Sequence, residues 1–94
     1  MKYLIPFFLL LPSYLLGQPK ILHYTETSGY DHNTRTESLQ MFAAIASSQG
    51  WQVVNDQTGA GFNSFTNLQE YDVVVFSNTS GDAILDASQR TNFE

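Results

Sequence analysis

Tyr71 to Asp82, YDVVVFSNTSGD, is a continuous apolar run that gives way at once to a short polar loop, and it restricts the chain to few folds. Val73, Val74, Val75 and Phe76 are consecutive, β-prone and without polar alternation, the pattern of a parallel strand covered on both faces by helices. In an open parallel sheet, ligands bind outside the carboxyl ends of such strands. Here that end holds Ser77, Asn78, Thr79, Ser80, Gly81 and Asp82, short donors and acceptors around one glycine, suited to bringing backbone close to a ligand. An ordinary strand-to-helix turn uses the same residues, so this stretch alone does not separate a ligand loop from a connection.

The rest of the chain supplies the neighbours such a strand needs. Lys20 to Thr25 is a short β-type run, followed by a polar loop from Glu26 to Asn33 that contains Gly29. Thr34 stands three residues before Glu37 in a capping-box spacing. Leu39, Phe42, Ala43 and Ala46 follow at helical intervals, predicting a helix over Thr36 to Gln49 stopped by Gly50. Trp51 to Asn55 reads as a second strand, less apolar and nearer an edge. Phe62, Phe65 and Leu68, spaced by three, predict a short helix under the sheet before Tyr71 opens the third strand. Asp86 and Gln89 form a second capping pair at the start of a last helix, with Leu85, Ala87 and Phe93 beginning its apolar face. The order β-α-β-(α)-β-α predicts an α/β, flavodoxin-like, doubly wound parallel sheet, of which about three strands are present.

Lys2, followed by the nearly apolar Tyr3 to Leu16 with Pro6 and Pro12, reads as a signal peptide over residues 1–17, leaving 18–94 as the domain. A transmembrane helix needs about 20 apolar residues, so no membrane partner is expected after leader removal, and the expected location is secreted or periplasmic. The chain has no cysteine, which excludes disulfides and a lipid anchor on cysteine. A secreted domain without disulfides depends on core packing, which favours a larger fold than this one. Nine acidic and four basic residues give a net charge of −5, with no basic patch to neutralise phosphates, so nucleic acid is not an expected partner.

In strand order 2-1-3, the loops after strands one and three meet at the point where the chain turns to opposite sides. Those loops carry Glu26, Asp31, His32, Asn33, Asn78, Thr79, Ser80 and Asp82, a set able to bond many hydroxyls and to move a proton. His32 is the candidate acid–base group, because free imidazole titrates near neutrality; a helix-entry histidine bonding local backbone is the competing explanation. His23 shares a strand face with Ile21 and Thr25 and is expected to be a satisfied interior residue. The two histidines lack zinc-site spacing, and no metal or cofactor is expected. Ser28 and Ser80 lie outside any Gly-x-Ser-x-Gly elbow, and Gly59 and Gly61 complete neither a dinucleotide loop nor a P-loop. Asn78-Thr79-Ser80 matches a glycosylation acceptor, although at a strand end it reads rather as part of a pocket.

Two of these stretches together resemble the trehalose-utilisation, ThuA-like, family. Gly29, Tyr30, Asp31, His32, Asn33 and Thr34 match its Gly-Phe-Arg-His segment with the polar residue and serine that follow. Tyr71 through Leu85 match its Tyr-Asp-Val-Val-Val strand and small polar loop, with Phe65-Thr66-x-Leu68 between them. Asp31 departs from the pattern, standing where the family has arginine. The resemblance covers Lys20 to Glu94 and implies a fold like the class I glutamine amidotransferases. Their cysteine nucleophile has no counterpart in this chain, which removes glutaminase chemistry.

The resemblance also implies a role in the use of trehalose or related glucosides, with a small carbohydrate as partner and further carbohydrate-related domains in longer relatives. It implies His32 as acid–base residue and Asn33, Asn78, Thr79, Gly81 and Asp82 as substrate-binding residues, while leaving the reaction type open. The family's second half, with another histidine loop, has no match here. Two alternatives therefore stand beside a sugar-processing enzyme: a non-enzymatic carbohydrate-binding or interaction module, and an inactive gene fragment. Three parallel strands expose an apolar sheet edge, so residues 18–94 alone are expected to be marginally folded and prone to aggregate.

Overall fold

The computed structural model describes residues 18–94, so the expected leader over 1–17 lies outside the described residues. Strands β1 (Lys20–Tyr24), β2 (Gln52–Asp56) and β3 (Val73–Phe76) form one parallel sheet in the order β2-β1-β3. Helix α1 (Arg35–Gln49) packs on one face. A 3-10 turn (Ala60–Phe62), a short α2 (Phe65–Leu68) and α3 (Ala87–Phe93) follow in the other layer. This is the α/β, flavodoxin-like arrangement, with β1 in the centre and the connections after β1 and β3 leaving a switch point between them.

Burial follows strand order rather than hydropathy. β1 is the covered strand: Leu22, His23 and Tyr24 are fully buried, as is Thr25 directly after it. β3, expected to be covered on both faces, instead pairs only with β1 among the described residues, leaving Val73 49% and Phe76 42% exposed. Its four apolar residues suit a two-sided environment that these 77 residues supply on one side only. The core cluster is Leu22, Tyr24, Phe62 and Leu85, with Val54, Leu68, Tyr71, Val74 and Ile84 packed around it. Edge-to-face contacts of Phe62 with Tyr24 at 4.9 Å and with Phe93 at 5.6 Å tie the 3-10 turn and α3 to the sheet.

The first capping box does not form. Asn33 takes a left-handed φ of 56°, and Thr34 enters the helix at φ −106°, ψ 5° with no side-chain cap bond, so α1 begins at Arg35. A capping side chain reaches the first-turn N–H groups from an extended backbone, and Thr34 lacks that geometry. The helix ends as expected, with Gly50 left-handed and its N–H on the Ala46 carbonyl. Of the predicted apolar face, Ala46 is buried and Leu39 and Phe42 half-buried, whereas Ala43 is exposed. Phe65 is likewise 59% exposed, because Ser64 caps α2 at Asn67 N–H and Phe65 takes the outward first position.

The second capping box is complete. Asp86 accepts from Gln89 N–H at 2.8 Å and Gln89 Oε1 accepts from Asp86 N–H at 2.8 Å. Asp86→Ala is therefore expected to lower the unfolding free energy by about 1 kcal/mol in urea titrations, while Thr34→Ala leaves it nearly unchanged. Equal effects at the two positions would contradict this assignment of the caps.

Candidate functional site

The loops after β1 and β3 come together as the topology requires, and their polar atoms are spent largely on one another. The Ser80 carbonyl accepts from Ser28 N–H at 2.8 Å and Gly29 N–H at 3.0 Å, and Ser80 Oγ donates to the Tyr30 carbonyl at 2.6 Å. Thr27 Oγ1 donates to the Asn78 carbonyl, and Ala83 N–H donates to Ser28 Oγ at 3.0 Å. The close approach needs both glycines: a Cβ on Gly29 would lie 3.0 Å from Gly81 N, and Gly81 itself sits at φ +90°.

Asn78 is the staple between the loops. At a left-handed φ of 56°, it accepts from His32 N–H through Oδ1 at 3.0 Å and donates through Nδ2 to Asp31 Oδ1 at 2.7 Å. Both ends of its carboxamide are thus engaged by the opposite loop. Asp31 also accepts from Asn33 N–H at 2.8 Å, and its second oxygen lies 3.9 Å from the Arg35 guanidinium. The Asn78 bond first, and the Asn33 N–H next, hold the Asp31 carboxyl below the usual carboxylate range, with smaller help from Arg35 and His32. A depressed acid supports the folded loop pair above its unfolded pKa and loses that support as pH falls through the folded value. The Asn78 side-chain amide resonances, which report the bond to the Asp31 carboxylate, should therefore shift on acidification below the usual carboxylate range. Asp31→Asn should abolish that shift.

The remaining predicted site residues lie on this pair of loops. The His32 ring is exposed and meets the Tyr30 ring edge-to-face at 4.7 Å, and Tyr30 is itself 74% exposed. The side chains of His32, Asn33, Thr79 and Asp82 make no hydrogen bond to any described residue, so they form the part of the rim open to a ligand. Gly81 supplies close approach rather than a side chain. The sequence signals pointed to His32 and Asn78 but not to Tyr30, which the edge-to-face contact places beside the His32 ring.

Beneath the rim, Tyr24 donates to Glu26 Oε1 at 2.6 Å. Burial, then the Glu26 hydrogen bond and the Glu26 and Asp56 charges, push the Tyr24 phenol far above its ordinary pKa, so it is a fixed donor that anchors Glu26. His23 is a fully buried, fully bonded interior residue, with Nδ1 on Asn55 Oδ1 at 3.0 Å and Nε2 on Ser38 Oγ at 2.7 Å. A hollow of about 300 Å³ lies elsewhere, lined by Leu22, Val54, Asp56, Thr58, Gly61 and Tyr71 among others, and includes none of the predicted site residues. The hollow has polar groups of its own, among them Asn55, Gln57 and Thr58, but the exposed imidazole of His32 lies on the switch-point rim.

The ThuA family, described as trehalose utilisation, matches residues 20–94. The chain belongs to the ThuA family. The match covers the sheet, both laced loops and helices α1, α2 and α3, so His32 and Asn78 lie inside the region that this ThuA chain shares with its family. No curated protein and no solved structure matches the chain significantly.

Proposed function

We propose that this ThuA-family chain is an exported carbohydrate-processing domain acting on trehalose or a related glucoside. In this reading His32 transfers a proton, while Asn33, Thr79 and Asp82 bond sugar hydroxyls. Asn78 and Gly81 act on the site by holding the two loops in register. The observation that carries the reading is the rim itself: an exposed imidazole beside an exposed tyrosine ring, with unpaired amide, hydroxyl and carboxylate groups on loops locked together by backbone bonds. An aromatic face with several hydrogen-bonding groups is the surface a sugar ring requires, and positioning on a rigid base makes proton transfer effective. Residues 1–17 serve as the leader, which N-terminal sequencing of the exported product would place by finding Gln18 first.

The test uses trehalose and simple glucosides, with turnover followed by the sugar's anomeric NMR signals and binding by calorimetry. His32→Ala is expected to lower turnover by roughly 10²-fold or more while retaining binding. Full turnover in that variant removes the proton-transfer role. A second reading, a carbohydrate-binding module without turnover, is favoured by one feature: no hydrogen bond from a described residue orients either ring nitrogen of His32. Binding with no turnover in the unmodified chain would select it.

A further inference from the structure

A second polar chain crosses the α1 face of the sheet, separate from His32. It starts at Asn55 on β2, passes through His23 on β1 and Ser38 in the first turns of α1, and ends at Ser77, the residue after β3. Its directions are fixed by chemistry. A carboxamide oxygen only accepts, so His23 Nδ1 carries the proton toward Asn55 Oδ1, and in the neutral ring Nε2 presents its lone pair. The Ser38 hydroxyl, 2.7 Å away, donates to that lone pair, and its own oxygen accepts from the Ser77 hydroxyl at 2.7 Å. All the bonds therefore run one way, from Ser77 through Ser38 and His23 to Asn55.

The ends of the chain differ in a manner that suits catalysis. His23 is fully buried, with the Phe42 ring centred 5.6 Å from its own. Ser77 is half-buried at the switch point, held by its N–H on the Tyr24 carbonyl at 2.9 Å and followed directly by Asn78. Its oxygen accepts from no described residue, so the lone pairs are open while the proton is already directed inward. A hydroxyl paired with a base that is itself oriented by a third group is the arrangement that activates a nucleophile. Here one bridging hydroxyl is inserted between nucleophile and base.

We propose that Asn55, His23, Ser38 and Ser77 form a proton relay that makes Ser77 a nucleophile toward an electrophilic carbonyl or phosphoryl centre at the mouth of the crevice. As the Ser77 oxygen bonds to that centre, its proton passes to Ser38, and the Ser38 proton passes to His23 Nε2. The imidazolium remains held through Nδ1–H by Asn55. The leaving group departs with the bonding electron pair, taking back a proton by the same route where it needs one. This activity depends neither on the carbohydrate reading nor on His32.

The test is a fluorophosphonate probe applied to the full chain, with the adduct located by mass spectrometry. In this reaction the Ser77 oxygen–phosphorus bond forms, the phosphorus–fluorine bond breaks and fluoride leaves. Ser77 should be labelled, while Ser48, exposed on α1, should not. Ser38→Ala, its fold verified by circular dichroism, should slow labelling by roughly 10²-fold, and Ser38→Thr should restore it. Asn55→Ala, at an exposed position on the edge strand, gives a second reading and should also slow it. An unlabelled Ser77, or equal rates in the unmodified, Ser38→Ala and Asn55→Ala chains, overturns the relay.

Discussion

Gly81→Ala is expected to lower the unfolding free energy by about 3 kcal/mol and to separate the two loops that form the rim. Two costs combine. Gly81 sits at φ +90°, a conformation an L side chain adopts at a penalty of roughly 1–2 kcal/mol. A Cβ there would also lie 2.8 Å from the Ser28 carbonyl carbon and closer still to Ser28 Oγ and Gly29 N. Overpacking of this kind costs about 1–3 kcal/mol, toward the upper end when backbone must move. Adding Ser28→Ala removes the hydroxyl clash but leaves the backbone one, so it should rescue only part of the loss. Gly29→Ala should cost less, because its nearest approaches, to Gly81 N and Cα, are 3.0 and 3.1 Å. Denaturant midpoints give the energies, and the His32 and Asn78 amide resonances show whether the loops have parted. A Gly81→Ala chain as stable as the original would mean that the loops do not pack at this distance.

That juxtaposition could be read from the sequence because it follows from strand order alone. An apolar strand ending in Ser-Asn-Thr-Ser-Gly and an earlier loop ending in His-Asn become neighbours once the order is 2-1-3. How the polar atoms would be used could not be read that way. Asn78 could equally have faced a ligand, and only the left-handed backbone turns its carboxamide onto Asp31 and the His32 N–H. Burial misled for a related reason: hydropathy reports what a side chain tolerates, not where its strand lies. β3 is the more apolar strand yet has a strand partner on one side only among the described residues, while His23 on β1 and Thr25 just after it are buried because Asn55, Ser38 and Arg35 satisfy them. The two capping spacings look alike in sequence, but Asn33 redirects the chain at the first, whereas Asp86 at the second keeps the extended entry a cap requires.

Asp56 carries the other large expected effect, from a role that the punctuation of Gly59 and Gly61 only outlined. Its Oδ1 accepts from the N–H groups of Thr58 at 3.0 Å, Gly59 at 2.8 Å and Ala60 at 3.2 Å, and its Oδ2 from Gly61 N–H at 2.9 Å. One carboxylate thus organises the whole turn after β2. Asp56→Ala leaves the buried Gly59 and Gly61 donors without that acceptor, each at a cost of about 1–3 kcal/mol. Water entering the adjoining hollow offsets part of this, so a loss of roughly 2–4 kcal/mol is expected. Asp56→Asn keeps the Oδ1 bonds but turns an NH₂ toward Gly61 N–H, so it should lose about half as much. The consequence extends beyond the turn, because the same segment seats Phe62 against Tyr24 and Phe76, the residues from which both rim loops depart. Near-ultraviolet circular dichroism of the aromatic cluster should therefore weaken in Asp56→Ala at temperatures where the helical signal persists. If Ala and Asn substitutions are equally mild, the carboxylate does not hold the turn, and the seating of the rim loops must depend on the Phe62 contacts alone.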